Sequence, residues 1–142
     1  SQTGNLIDLS TTYDATKWIN NNINGNPVIV EASKELYSWS SNVSINTGLP
    51  AVLGWDWHQK QQRSLNANAV NLRKKQIEEF YTTNSEQFIE DFLNFYSVKL
   101  IIFGPIEKNH YPDFDTRLKI AMSDRVSEIY SNNGYTIYEY EK

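Results

Sequence analysis

Two short apolar runs, at residues 28–31 and 98–103, constrain the fold more than any other feature of the sequence. The first begins with three β-branched residues, and the second is apolar except for Lys99. Runs of this kind are typical of strands that are covered on both faces. Each run follows a segment with helical spacing, and helix-then-strand units place consecutive strands parallel in one sheet. The sequence therefore predicts an α/β fold in which these two strands run parallel in the sheet interior.

Helices are predicted on either side of these runs. Apolar residues recur at helical spacing in four segments, which are residues 11–23, 66–81, 88–96 and a short stretch around Phe114, Leu118 and Met122. A capping-box pattern at residues 83–86 marks the start of the third helix. Residues 107–113 are polar throughout most of their length and predict a loop.

The C-terminal residues predict a hairpin. Residues 126–130 and 135–140 alternate between faces and are separated by an Asn-Asn-Gly turn at 132–134. We expect the second of these strands to lie antiparallel at one side of the sheet. The whole chain, residues 1–142, is then a single small α/β domain with a mixed, mostly parallel sheet, flanking helices and a C-terminal antiparallel hairpin.

Composition excludes several classes of protein. The chain has 13 basic and 17 acidic residues, a formal net charge of −4, which argues against nucleic acid as a partner. Its 39% hydrophobic residues suffice for a core, because a domain of this size buries roughly 70% of its unfolded surface. The absence of cysteine excludes disulfides, thiolate zinc sites and a cysteine nucleophile.

Residues 33–64 form a long segment without sustained periodicity, and a loop of this length usually has a function. The segment carries four large aromatic side chains, Tyr37, Trp39, Trp55 and Trp57. Polar side chains that suit hydroxyl groups lie between and after them, at Asp56, His58, Gln59, Gln62 and Arg63. If residues 55–63 are helical, Gln59, Gln62 and Arg63 share one face.

Two interpretations of this segment stay open. In the first, Trp rings stack on the C–H faces of a sugar while amide, guanidinium and carboxylate groups hold its hydroxyls. In the second, the Trp rings fill the core, and Arg63 and His58 bind backbone carbonyls or pair with Glu31. A metal site is not predicted, because His58, His110, Glu31 and Asp56 form no ligand pair at the usual spacings.

A longer pattern of residues resembles a known family. It begins with Glu31 and Tyr37 and continues through Ser44-x-x-Thr47-Gly48-Leu49-Pro50-x-Val52-Leu53-Gly54-Trp55-x-x-His58-Gln59-x-x-x-Arg63. It goes on with Ile77-x-x-Phe80-Tyr81-Thr82-Thr83 and with Tyr96-x-Val98-x-Leu100-Ile101-x-x-Gly104-x-x-Glu107-x-x-x-Tyr111, and it closes with Ile137-Tyr138. This pattern resembles the chloroflexal–archaeal YYY family of multi-spanning membrane proteins, which are similar to GT-C glycosyltransferases. The family commonly has Glu after the His and then Gln-Trp-Arg-Gly, whereas this chain has Gln59 and then Gln61-Gln62-Arg63-Ser64.

The resemblance implies that residues 1–142 are the excised C-terminal domain of a larger membrane protein, outside the cell. It implies the membrane portion of the same polypeptide as a partner, and a lipid-linked sugar or glycan acceptor as a ligand. It implies no cofactor in this domain, and a divalent metal as a candidate cofactor of the parent protein. The candidate ligand-binding residues are Glu31, Tyr37, Trp55, Asp56, Trp57, His58, Gln59, Gln62, Arg63 and Glu107.

We expect this domain to hold a glycan or an acceptor without catalysing transfer alone. One alternative is a structural domain that packs on the membrane portion, and another is a stand-alone glycan hydrolase with Glu31 and Asp56 as paired carboxylates. We further expect Glu31 to lie within ion-pair or single-water reach of Arg63 or His58, as a polar floor under Trp55. The catalytic residues of the parent protein are not predicted.

Overall fold

The computed structural model describes residues 9–32, 43–53, 66–132 and 134–142. Along the chain the elements are α1 (Leu9–Asn22), β1 (Val28–Val30), α2 (Val43–Thr47), α3 (Asn66–Thr82), α4 (Glu86–Phe95), β2 (Val98–Phe103), α5 (Pro105–His110), α6 (Phe114–Met122), β3 (Val126–Asn132) and β4 (Tyr135–Tyr140). Four strands form one sheet, and helices cover it, so the predicted small α/β fold is confirmed. No helix in these ranges is long and apolar enough to cross a bilayer.

The sheet is mixed, with strand order β1-β2-β4-β3. β1 and β2 are parallel, with Ile29 opposite Leu100, as the two helix-then-strand units predict. β4 is antiparallel to both β2 and β3, and the predicted C-terminal hairpin is confirmed. Parallel pairing between strands is thus confined to β1 and β2, apart from a single parallel bridge that joins Ile29 to Ala51 beyond β1.

Two strand positions differ from the sequence prediction. β1 lies at the end of the strand order, and β4 lies between β2 and β3. Since β4 is covered on both faces, the predicted alternation of faces is wrong there, and five of its six residues are buried. The exposed edge is β3 instead, whose outward positions include Ser127, Glu128 and Ser131. The polar side chains of this seven-residue strand can face water, which makes its position at the edge of the sheet acceptable.

One face of the sheet packs against α3, α4 and α6. Val30, Ile101, Phe103 and Tyr138 point to this side and contact an aromatic group from the helices. The rings of Phe80 and Phe92 are stacked with centroids 4.6 Å apart, and other members of the cluster are Tyr81, Leu93, Phe114 and Leu118. This is the larger of the two layers of core.

The opposite face packs against α1. Ala15 and Ile19 of this helix meet Ile29, Leu100 and Ile137 of the sheet, all of them buried. Val43 of the short helix α2 and Ala51 complete this cluster. The sheet therefore lies between two helical layers. In an open α/β sheet, ligands usually bind at the carboxyl ends of the parallel strands.

Local signals explain two of the helices. Ser85 caps α4, because its hydroxyl accepts the backbone N–H of Phe88 at 3.1 Å. The helix start predicted at residues 83–86 is confirmed, whereas the capping box itself is not, because Glu86 is the first residue of the helix. The predicted polar loop at 107–113 is wrong, since α5 occupies residues 105–110. Pro105 at the first helical position favours this start. The sequence shows no apolar side for α5, because the buried side chain of this helix is that of Glu107.

Candidate functional site

Glu31 follows β1 directly and lies at the carboxyl edge of the parallel strands. Its side chain is buried, with 4% of its surface exposed. Oε1 accepts the backbone N–H of Val43 at 3.0 Å, and Oε2 accepts that of Ser44 at 2.9 Å. These two N–H groups begin α2, so the carboxyl group joins the end of β1 to the start of the next described helix.

Glu107 reaches the same edge from β2. It lies in the first turn of α5, which starts after β2, and it is completely buried. Its Oε1 accepts the N–H of Gly104 at 2.8 Å, and its Oε2 accepts the N–H of Ala32 at 2.8 Å. Because Ala32 is the neighbour of Glu31, one carboxyl group is held beside the backbone that carries the other.

Tyr81 of α3 fixes the two strand ends from one side. Its hydroxyl donates to the carbonyl of Ile102 at 2.8 Å and lies 3.2 Å from the carbonyl of Val30 as a second acceptor. Its ring is stacked on Tyr111, with centroids 5.1 Å apart and planes 7° apart. A buried phenol with both strand ends as acceptors keeps the spacing of β1 and β2 constant at this edge.

Tyr135 of β4 closes the edge from the other face. A Cβ atom added to Gly104 would lie 2.7 Å from Cδ1 of this ring, so only glycine allows the close approach. The Tyr135 hydroxyl forms a 2.9 Å hydrogen bond with the hydroxyl of Thr12 on α1. α1, β4 and the start of α5 are thereby joined around the two acids.

The electrostatics of the site follow from burial and from two acids close together. Burial, and then the carboxyl of Glu107, raise the pKa of Glu31 from 4.5 to about 8, although the N–H groups of Ser44 and Val43 act in the opposite direction. Burial, and then the same two acids, also raise the pKa values of Tyr81 and Tyr135. Glu31 is therefore mostly protonated at neutral pH, and both tyrosines remain neutral.

This arrangement suits hydrogen bonding better than covalent catalysis. A protonated, buried carboxyl is a weak nucleophile, and the described contacts of Glu31 and Glu107 go to backbone N–H groups rather than to a cleft. Within residues 9–32, 43–53, 66–132 and 134–142, no three His, Cys, Asp or Glu side chains are grouped so that they could hold a metal ion. His110 is exposed at the end of α5.

The structure brings together two of the ten residues that the sequence singled out, Glu31 and Glu107. The other eight lie outside the described residues: Tyr37, Trp55, Asp56, Trp57, His58, Gln59, Gln62 and Arg63. The expected contact of Glu31 with Arg63 or His58 stays a prediction for this reason. So does the separation of Glu31 and Asp56 that a hydrolase would need.

Sequence reasoning missed Tyr81 and Tyr135 as parts of this edge. It assigned Tyr81 to the apolar side of a helix and Tyr135 to a strand, which is correct for their rings. Their hydroxyl groups could have indicated this role, because a buried phenol within an apolar pattern needs a hydrogen-bond partner. The identity of that partner depends on packing between distant segments.

Comparisons of this chain with protein-family models, with curated proteins and with solved structures found no match. The resemblance to the chloroflexal–archaeal YYY family, which the pattern from Glu31 to Tyr138 suggests, therefore stays a prediction.

Proposed function

We propose that this domain binds a glycan or glycan acceptor at the carboxyl edge of β1 and β2, and that it does not catalyse transfer alone. In this proposal it is the extracytoplasmic C-terminal domain of a GT-C-like membrane glycosyltransferase. The membrane portion of the same polypeptide is its partner. The resemblance of the Thr47 to Arg63 stretch supports the assignment to that class of enzyme.

One structural observation carries the binding proposal: hydrogen bonds hold the ends of both aromatic segments. Residues 33–42, which contain Tyr37 and Trp39, lie between Ala32 and Val43. The N–H of Ala32 is bound by Glu107, and the N–H of Val43 is bound by Glu31. The two buried acids thus fix both ends of one candidate segment at one edge.

The second segment, residues 54–65, carries Trp55, Trp57, His58 and Arg63. Its start is held to β1, because the N–H of Val52 donates to the carbonyl of Ile29 at 3.0 Å. The helix that follows it returns to the same place, where Nη1 of Arg73 donates to the carbonyl of Val52 at 3.0 Å. Fixed ends reduce the entropy that the segment loses on binding, which favours affinity.

A structural role is the second candidate, and the burial of the acids favours it. Glu31 and Glu107 are 4% and 0% exposed, so neither carboxyl offers a surface to a ligand in the described structure. In this alternative the domain packs on the membrane portion and orders its loops. A stand-alone hydrolase is less well supported, because a general acid must reach the glycosidic oxygen.

Tryptophan fluorescence of the isolated chain tests binding directly. Trp18 lies half-buried against Tyr130, with ring centroids 5.1 Å apart, and it belongs to neither aromatic segment, so Trp18→Phe removes its background signal. We expect mannotriose or chitotriose to change the remaining emission saturably. Trp55→Ala should raise the apparent Kd of that response at least tenfold, which corresponds to about 1.4 kcal/mol.

Sugar transfer by the full-length parent protein separates binding from a structural role. Deletion of residues 1–142 should abolish transfer under both proposals. Trp55→Ala should raise KM under the binding proposal and leave KM and kcat unchanged under the structural one. Loss of transfer on deletion with an unaltered Trp55→Ala enzyme would therefore refute the binding proposal.

A further inference from the structure

A cavity of about 530 Å³ lies between α3 and α4, away from the two acids. Its walls are the rings of Phe88, Phe92, Phe95 and Tyr96, and its polar groups are Gln76, Asp91 and Asn94. A neighbouring cavity of about 320 Å³ shares Phe95 and Tyr96 and is lined by Val28 and Ser97. Val28 begins β1 and Ser97 precedes β2, so these cavities lie at the amino end of the parallel strands.

Of the rings in the aromatic wall, that of Phe95 is presented to solvent. Phe88, Phe92 and Phe95 follow one stripe of α4, and the stripe continues beyond the core, because Phe92 is buried while Phe95 is 77% exposed. The Phe95 and Tyr96 rings meet edge to face, with centroids 4.9 Å apart and planes 89° apart. The exposed Phe95 ring lines the cavity, so it is available to a ligand that enters it.

Two carboxamide side chains supply hydrogen-bond donors to the cavity, beside the carboxylate of Asp91, which accepts from Nε2 of Gln87 at 2.8 Å. The oxygen of Gln76 accepts the hydroxyl of Tyr96, and the oxygen of Asn94 accepts the hydroxyl of Tyr140 at 2.9 Å. These phenols fix which end of each amide is an acceptor. The NH₂ groups of Gln76 and Asn94 are left as donors without a hydrogen-bond partner in the part of the chain that the structure describes.

We propose that this cavity binds a pyranose ring, as a second glycan site at the opposite end of the strands. The C–H face of the sugar stacks on Phe95, and its hydroxyls accept N–H groups of Gln76 and Asn94. The volume lies within the range of roughly 300–1,000 Å³ that ligand sites occupy. This site is separate from the carboxyl edge, and its argument does not rest on the function proposed there.

The amide donors favour a sugar over an apolar occupant. An acyl chain or an apolar side chain from a partner protein would cover both NH₂ groups without accepting from them. A buried donor left unpaired is unfavourable, and this cost offsets much of the gain from burying Phe95. A sugar satisfies both requirements, because it has an apolar face and a rim of hydroxyl acceptors.

The test follows the side-chain NH₂ signals of Gln76 and Asn94 in ¹⁵N–¹H spectra of the chain. We expect saturable shifts of both signals with maltotriose, mannotriose or chitotriose. Phe95→Leu should raise the apparent Kd at least tenfold, and Phe95→Tyr, which keeps the ring, should preserve it. Ile120→Ala is the matched control, because Ile120 is equally exposed at 78% but lies on α6.

Several results would overturn the proposal. The first is no shift of either NH₂ signal with all three sugars at about 10 mM, tenfold above a weak Kd of 1 mM. The second is a response that Phe95→Leu leaves unchanged while its spectrum shows a folded protein. The third is a shift that phosphatidylcholine vesicles or a rise in protein concentration cause and the sugars do not. Since Trp55→Ala reports on the carboxyl edge and Phe95→Leu on this cavity, failure of one proposal is distinguishable from failure of the other.

Discussion

Replacing Glu31 by glutamine should change how the stability of the domain depends on pH. The folded protein raises the pKa of Glu31 from 4.5 to about 8, and the first cause is burial. Below pH 4.5 the carboxyl is protonated in both states. Between 4.5 and 8 the unfolded chain loses the proton while the folded chain keeps it, so the free energy of unfolding falls as the pH rises.

The size of this fall follows from the shift. Each pKa unit corresponds to about 1.4 kcal/mol, so the wild-type protein loses on the order of 5 kcal/mol from this group by pH 8. Glutamine does not titrate, and it keeps one acceptor oxygen for the N–H groups of Val43 and Ser44. The other N–H loses its acceptor, which lowers the free energy of unfolding of the variant by about 1–3 kcal/mol.

The loss of stability that the wild type undergoes as the pH rises is larger than the cost of the substitution. The two proteins should therefore exchange their order of stability. At pH 5 the wild type should be the more stable, and before pH 8 Glu31→Gln should become the more stable. Above pH 8 the difference should be constant. Urea unfolding at intervals of one pH unit from 5 to 9 measures this, with Glu79→Gln on the exposed side of α3 as a control that should stay within about 0.5 kcal/mol of wild type.

The opposite slope would refute the reasoning. A cation such as Arg63 against the carboxyl would lower the pKa of Glu31, and the wild type would then gain stability over Glu31→Gln as the pH rises from 5. A difference that is the same at every pH would also refute it. The experiment therefore decides between a buried protonated acid and the ion pair that the sequence predicts.

Two further substitutions test the packing of the same edge. Gly104→Ala should destabilise the protein by about 1–3 kcal/mol, because the new Cβ would lie 2.7 Å from Cδ1 of the Tyr135 ring, as measured by urea unfolding. Tyr81→Phe should cost about 1–3 kcal/mol in the same assay, because the buried carbonyl of Ile102 loses its donor and that of Val30 loses a second contact.

Each of these has a matched comparison. In a Tyr135→Leu background, Gly104→Ala should cost less, and equal costs in both backgrounds would show that the ring is not the obstacle. Tyr13, which is 64% exposed on α1, gives the control Tyr13→Phe, expected to be nearly neutral. A Tyr81→Phe protein as stable as Tyr13→Phe would contradict the role of the buried hydroxyl.

The sequence alone determined the elements whose signals are local. The apolar runs predicted β1 and β2 and their parallel pairing, because a strand covered on both faces needs continuous apolar residues. The Thr-Asn-Ser-Glu segment at residues 83–86 predicted the start of α4, since a capping hydroxyl and the amide that it binds are only three residues apart, as Ser85 and Phe88 are. The turn before Gly134 predicted the hairpin, and Gly134 has the positive φ of 92° that such a turn requires.

Tertiary structure decided the order of the strands and the contacts of the site. β4 lies inside the sheet because it pairs with β2 on one edge and with β3 on the other, and α1 and the larger aromatic cluster cover its two faces. Its sequence reveals neither. Glu107 binds the N–H of Ala32, which is 75 residues away in the chain. The reason is physical: periodicity records which side of an element is apolar, whereas a buried carboxyl takes its partners, and its pKa, from whichever distant backbone the packing brings against it.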